Sequence, residues 1–190
     1  ANAGGVAISS GLASGLRTSA AHSTLILADS NSTAIHADGT LGRGVSEVAL
    51  ERQEQEGSSR IEASHDGYVR RFGLVHKRLL VLTGDGRELR GDDALLPARA
   101  RQKPMTSAFV LRFHLAPGIE ATPTADGMGA LLRIERGALW QFRCRGGTLS
   151  IEESLWVDGE ARPHNTLQLV VSGEAPPGGA SIGWTLRRAG

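Results

Sequence analysis

The chain has 190 residues, enough for one large β-domain, with 40% apolar residues and 25 glycines where roughly 13 would be expected at average usage of about 7%. Its net charge of +1 excludes binding dominated by nucleic-acid phosphates, which needs a strongly basic face. The single cysteine, Cys144, excludes an internal disulfide framework, and no apolar run approaches the roughly 18 residues of a membrane span.

The opening residues 1–10, ANAGGVAISS, have neither the charged start nor the continuous apolar stretch of a signal peptide. Apolar residues then alternate with period two at 23–27 and 45–50, the pattern of half-buried strands. Residues 73–83 and 87–96 read as a hairpin closed by Gly84-Asp85-Gly86. The stretch 97–104, with Arg99, Arg101 and Lys103, reads as a surface connection between two groups of strands. Further strands are predicted at 108–115, 130–135, 138–144, 149–157, 165–171 and 181–187, separated by turn dipeptides such as Pro117-Gly118, Gly146-Gly147 and Asp158-Gly159. No stretch keeps a helical period. About a dozen short strands at intervals of about 8–12 residues predict an all-β fold, a mainly antiparallel β-sandwich.

Charge is distributed unevenly. Residues 1–66 carry four Arg and eight Asp or Glu, whereas residues 67–103 carry nine Lys or Arg and four acids. Within the second stretch, Arg70, Arg71, Lys77 and Arg78 are candidates for a basic surface that meets an acidic glycan or another domain; a solvated strand face is the alternative.

Six histidines are the natural place to look for chemistry, since neutral imidazole serves as base and as metal ligand. No HExxH, paired CxxC or H-x-H occurs, which excludes a short metal motif and argues against a cupin-type barrel. His36 and His164 sit in polar, turn-like surroundings, while His76 and His114 lie on predicted strands. The segment Ser64-His65-Asp66-Gly67-Tyr68 is the densest grouping: His65 and Tyr68 are catalytic candidates for proton transfer, although Asp66-Gly67 is equally a turn dipeptide. No serine occupies G-x-S-x-G, and Cys144 has no histidine beside it, so a nucleophilic hydrolase is excluded.

The segment RTSAAHSTL at residues 17–25 resembles the C-terminal domain of the heparinase II/III-like family, whose β-domain has an R-x-x-A-A-H-[NS]-T-[LV] strand. SHDGY at 64–68, GLVHKR at 73–78, GRELRGDD at 86–93, LRFHL at 111–115, GALW at 137–140 and IEES at 151–154 look like successive family elements in the family's order. The resemblance implies a single β-sandwich domain over residues 1–190, of super-sandwich type, forming the C-terminal part of a longer chain behind an N-terminal helical toroid.

It also implies a polysaccharide lyase acting on uronic-acid-containing acidic polysaccharides by β-elimination. A base removes the proton at C5, the 4-linked sugar leaves, and neutralising the uronate lowers the barrier. In the family, the toroid and a strand ahead of the A-A-H segment supply the catalytic groups, so the resemblance implies a fragment inactive alone. The implied partners are the protein's own helical domain and an acidic polysaccharide such as a glycosaminoglycan, with no nucleic acid, and the implied location is the periplasm. In some members the A-A-H histidine, here His22, binds a structural zinc with an upstream histidine and an acidic residue. That acidic position falls at Asn2, so no cofactor is expected in this chain and zinc only in the intact parent. The competing reading is a non-catalytic carbohydrate-binding or adhesive β-sandwich.

Overall fold

The computed structural model describes residues 10–55, 57–98 and 105–189. Twelve strands occur among these residues. They are β1 (Leu25–Leu27), β2 (Val48–Gln55), β3 (Ser58–His65), β4 (Leu74–Leu82), β5 (Glu88–Pro97), β6 (Ser107–His114), β7 (Ile119–Pro123), β8 (Gly129–Ile134), β9 (Leu139–Arg145), β10 (Thr148–Val157), β11 (Pro163–Ala175) and β12 (Ala180–Ala189). A four-stranded sheet runs in the order β1-β6-β11-β10, and an eight-stranded sheet in the order β2-β3-β4-β5-β12-β9-β8-β7. Neighbours pair antiparallel, as in β4 with β5 and β10 with β11, so the expected all-β sandwich is observed.

The core forms where the two inner faces meet. Leu25, Leu27, Phe109, Leu111, Leu169 and Val171 of the small sheet join Leu95, Phe142, Ile182 and Trp184 of the large one in a single buried cluster. Phe113 reaches across from β6, its ring centroid 5.0 Å from that of Phe142 and 4.8 Å from that of Trp184. Aromatic pairs in this tilted geometry add to the free energy of the large apolar area they bury. Gly91 faces Trp184 across the β5–β12 ladder, and a Cβ there would lie 2.1 Å from the indole. Only glycine lets the ring lie flat against β5.

Three departures from the predicted elements have physical reasons. First, helical turns occur: α1 (Ser10–Leu16), a 3-10 turn (Ser19–Ala21) and α2 (Val69–Phe72). Gly73 ends α2 in the left-handed conformation, φ 69°, and donates its N–H to Val69. Second, the A-A-H segment is not a strand: Ser19–Ala21 turns, His22 is extended, and the ladder begins at Leu25. Third, β3 and β7 were not anticipated, because β3 is mostly polar and β7 is short with a terminal proline. Arg99, Arg101 and Lys103 lie outside the described residues. No helix among the described residues is long and apolar enough to cross a membrane.

Candidate functional site

Strands β3, β4, β5 and β12 carry a chain of polar groups across the otherwise apolar inner face. In register, His65 opposes His76, and Arg78, two residues along on the same face, opposes Asp93. The hydrogen bonds set the tautomers. The Gly67 N–H donates to His65 Nδ1 at 3.2 Å, which leaves the proton on Nε2. That Nε2–H donates to His76 Nδ1 at 3.2 Å, and the His76 Nε2–H donates to Asp93 Oδ1 at 2.8 Å. Asp93 also accepts from Arg78 Nε at 2.8 Å and from the Trp184 indole N–H at 3.0 Å. The remaining reach of Arg78 goes to the Ser23 carbonyl, 2.7 Å from Nη1.

Electrostatically this spine is one carboxylate balanced by one guanidinium, with the imidazoles neutral. Burial works against the charged form of Asp93, but donation from His76 and the charge and hydrogen bond of Arg78 outweigh it and hold its pKa below the usual value. For His65, burial first and then the neighbouring His76 push the pKa down to about 4. A buried ion pair of this kind gives little net stability but is costly to break.

The segment SHDGY therefore divides among three tasks. His65 belongs to the spine, and both its ring nitrogens are occupied. The Asp66 carboxylate accepts the backbone N–H groups of Ser46 and Glu47 at 2.8 and 3.0 Å, together with the Ser46 hydroxyl. The Glu47 amide, followed by Ser46, lowers its pKa to about 2. Tyr68 is fully buried and donates its hydroxyl to the Leu25 carbonyl at 3.0 Å; burial pushes its pKa up to about 12. The rings of His65 and Tyr68 lie 5.5 Å apart, yet their polar atoms engage different partners.

The four basic candidates do not share one face. Arg70 is exposed on α2, and Arg71 donates to the Asn31 carbonyl while its guanidinium lies over Phe72. Lys77 points to the outer face of the large sheet and pairs with Glu62, whereas Arg78 points inward to Asp93. The outer face holds a groove of about 850 Å³ lined by Lys77, Arg90, Asp92, Arg143 and Arg145 among others. Its cations are paired: Arg90 with Glu88, Arg143 with Asp126 and Arg145 with Asp92.

His22 follows the 3-10 turn near His114, whose pKa is lowered by burial first, then by Arg112 and after it by His22. His114 itself is engaged, with Nε2–H donating to the Ala20 carbonyl at 2.9 Å and Nδ1 accepting from the Ser154 hydroxyl at 2.8 Å. Asn2 lies outside the described residues. Among the described residues no group of three or more His, Cys, Asp or Glu converges. A structural zinc needs four ligands, so the described residues do not fit one by themselves.

Sequence reasoning placed His76 and Arg78 on one strand but did not join them to Asp93 and Trp184. The signal was an Asp pair, Asp92-Asp93, in the middle of a strand facing an alternating His76-x-Arg78.

Residues 3–185 match the family model described as "Heparinase II/III-like, C-terminal". The FtsZ-localized protein C of Caulobacter vibrioides is 32% identical over 186 residues, covering 86% of this chain and 32% of that protein. A heparinase III structure with methylated lysines superposes with a TM-score of 0.74 at 12% identity, over 97% of this chain and 26% of that one. The heparan sulfate lyase HepC from Pedobacter heparinus gives a TM-score of 0.74 at 12% identity, over 94% and 25%. At such identities the solved structures share the fold. The chain spans about a third of the curated relative and about a quarter of the solved chains.

Proposed function

This chain belongs to the heparinase II/III-like family, as a C-terminal domain, and from that premise we propose that its parent is a polysaccharide lyase acting on uronic-acid-containing acidic polysaccharides by β-elimination. In this reading the β-domain is a scaffold that is incomplete as a catalyst alone. Family membership supports the reaction class. The observation that carries the division of labour is that both ring nitrogens of His65 and the hydroxyl of Tyr68 are already bonded within the domain. A base must hold a free lone pair within reach of the C5 proton. The N-terminal helical domain supplies it in this reading, and the site forms where that domain meets this one.

Arg70, Arg71 and Lys77, which have solvent access, are the contact candidates carried forward for an acidic glycan; Arg78 is committed to Asp93. Any zinc in the parent draws on ligands outside the described residues to join His22. A periplasmic location goes with this substrate class.

The test compares the full-length parent with this chain on heparin, heparan sulfate and alginate, reading the ultraviolet absorbance of the unsaturated uronate. Product from the parent and none from the chain is the expected result. Product from the chain alone overturns the scaffold role, and a parent silent on all acidic polysaccharides overturns the lyase reading.

One observation favours a second reading. The relative at 32% identity is named for FtsZ localisation, whereas the lyases share 12%. On that reading the domain is a non-catalytic module of its parent, and a parent silent on all acidic polysaccharides supports it.

A further inference from the structure

Every polar hydrogen of the spine points the same way. The Gly67 N–H donates to His65, His65 to His76 and His76 to Asp93, whose oxygens also accept from Arg78 and Trp184. A neutral imidazole offers one N–H and one lone pair, so the order has no alternative. Reversing the bond between the rings would leave His65 without any proton, because its Nδ1 already accepts from Gly67. An extra proton finds no free lone pair. If it charges His65, that ring carries N–H groups on both sides; if it charges His76, that ring donates from Nδ1 and the His65 proton moves to its own Nδ1. In both cases a hydrogen on His65 Nδ1 faces the Gly67 N–H, and that bond is lost.

The surroundings of His65 oppose the charge. From β4 it meets His76 and the Arg78 guanidinium, from β5 Asp93 beyond His76, from its own turn Asp66 and the Tyr68 ring, and from β2 Val48, its partner in the ladder. Asp93 is engaged by Arg78 and Trp184, and Asp66 by Ser46 and Glu47. The turn is tightly closed: a Cβ on Gly67 would lie 2.6 Å from the Ser32 carbonyl oxygen and 2.9 Å from the Val45 side chain. One residue on, Tyr68 is anchored in the core, whereas the core cluster among the described residues takes nothing from β2 or β3. A break at Gly67 can therefore stop at Tyr68 and leave the core intact.

We propose that the Gly67–His65–His76 junction is an acid-released latch at the base of the β2–β3 hairpin: uptake of one proton frees the turn 65–67, together with the loop 45–47 that Asp66 clamps to it, while the two sheets stay folded around the core. This rests on the geometry of the domain and not on the lyase reading. Closed, His65 titrates at about 4; released, it returns to its ordinary 6.5. Opening binds a proton between these values, so it becomes easier as pH falls from 6.5 and is independent of pH above it. Asp66, with a pKa of about 2, keeps its charge throughout, so its clamp on Ser46 and Glu47 is not the first to yield.

Hydrogen exchange read by mass spectrometry in the full-length protein tests this, with rates corrected for the intrinsic pH dependence of amide exchange. Between about pH 7.5 and 4.5 we expect the amides of residues 62–67 to lose protection by about thirtyfold, the value for a partly exposed ring. About 1 M urea should leave that exchange unchanged, as for a local opening, and should speed the exchange of β11. His65→Gln should flatten the pH dependence, with the segment either closed or open at every pH and β11 still protected. The latch is overturned if the variant keeps the native pH dependence, or if residues 62–67 and β11 open together with the same response to urea. It is equally overturned if protection of the segment does not change with pH. Should the variant not fold, the urea response of the unmodified protein decides alone.

Discussion

Phe142 and Leu50 face the same side of the same eight-stranded sheet, five strands apart. Phe142 is packed between Phe113 and Trp184 beneath the small sheet, and Leu50 stands in the open on β2. Both fit a period-two pattern equally well. The difference teaches that alternation specifies which way a side chain points, whereas burial needs a second layer. In the covered half, apolar area removed from water holds the sheet; in the open half, β2 and β3 are held by backbone pairing and a polar clamp at Asp66. The spine of His65, His76, Asp93 and Arg78 marks the seam between the two.

That contrast can be broken at its seam first. Asp93→Ala is expected to destabilise the chain by about 3–5 kcal/mol, because the Arg78 charge and the Trp184 indole N–H then lose their buried acceptor. Urea denaturation monitored by circular dichroism measures this. A loss below about 1 kcal/mol would mean that the seam is solvated and that closed and open halves grade into each other.

The next largest effect is on pH. The folded pKa of His65, about 4, lies below its unfolded value of 6.5, so the unfolded chain binds more protons between them. His65 therefore contributes stability that is fully present above pH 6.5 and is lost as pH falls toward about 4. Discounted for solvent screening of a partly exposed imidazole, the size is on the order of 2 kcal/mol. The lowered pKa of His114 adds a contribution of the same sign. Urea midpoints across this window should fall in the native chain, and His65→Gln should remove the larger part of the slope. An unchanged slope in the variant would place His65 in water, on the open side of the boundary.

A smaller loss, about 1–2 kcal/mol, is expected for Tyr68→Phe, which keeps the ring in the core and leaves the Leu25 carbonyl without its donor. It sharpens the comparison by testing whether β1 is tied to the seam as firmly as to β6. Smallest of all is Leu50→Ala, for which we expect a change within about 0.5 kcal/mol in this chain, as for an exposed position. A cost of several kcal/mol would show that the open half is already covered.

Much of the fold was legible residue by residue. The hairpin of β4 and β5 follows from two alternating runs closed by Gly84-Asp85-Gly86, and β9 to β12 follow from alternation punctuated by Gly146-Gly147 and Asp158-Gly159. β3 was not legible, because only Ile61 and Ala63 give its inner face an apolar character, and its strand form comes from pairing with β4. The A-A-H segment read as strand because its small residues suit either state; the 3-10 turn was decided by Ala21 and His22 finding backbone acceptors at Thr18 and Ser19.

The candidate site divides the same way. The sequence by itself determined the residue types, the direction each strand residue faces, and the family, since turn chemistry, period-two pattern and motif order are local or linear properties. Only the tertiary structure decided that His65 would meet His76 and His76 would meet Asp93, that Arg78 would find the same carboxylate, and that Tyr68 would be buried beneath β1. The physical reason is register. Which residues oppose one another across a ladder depends on how whole strands slide and on which sheet covers them, and a shift of one residue would have sent every one of these groups to the other face.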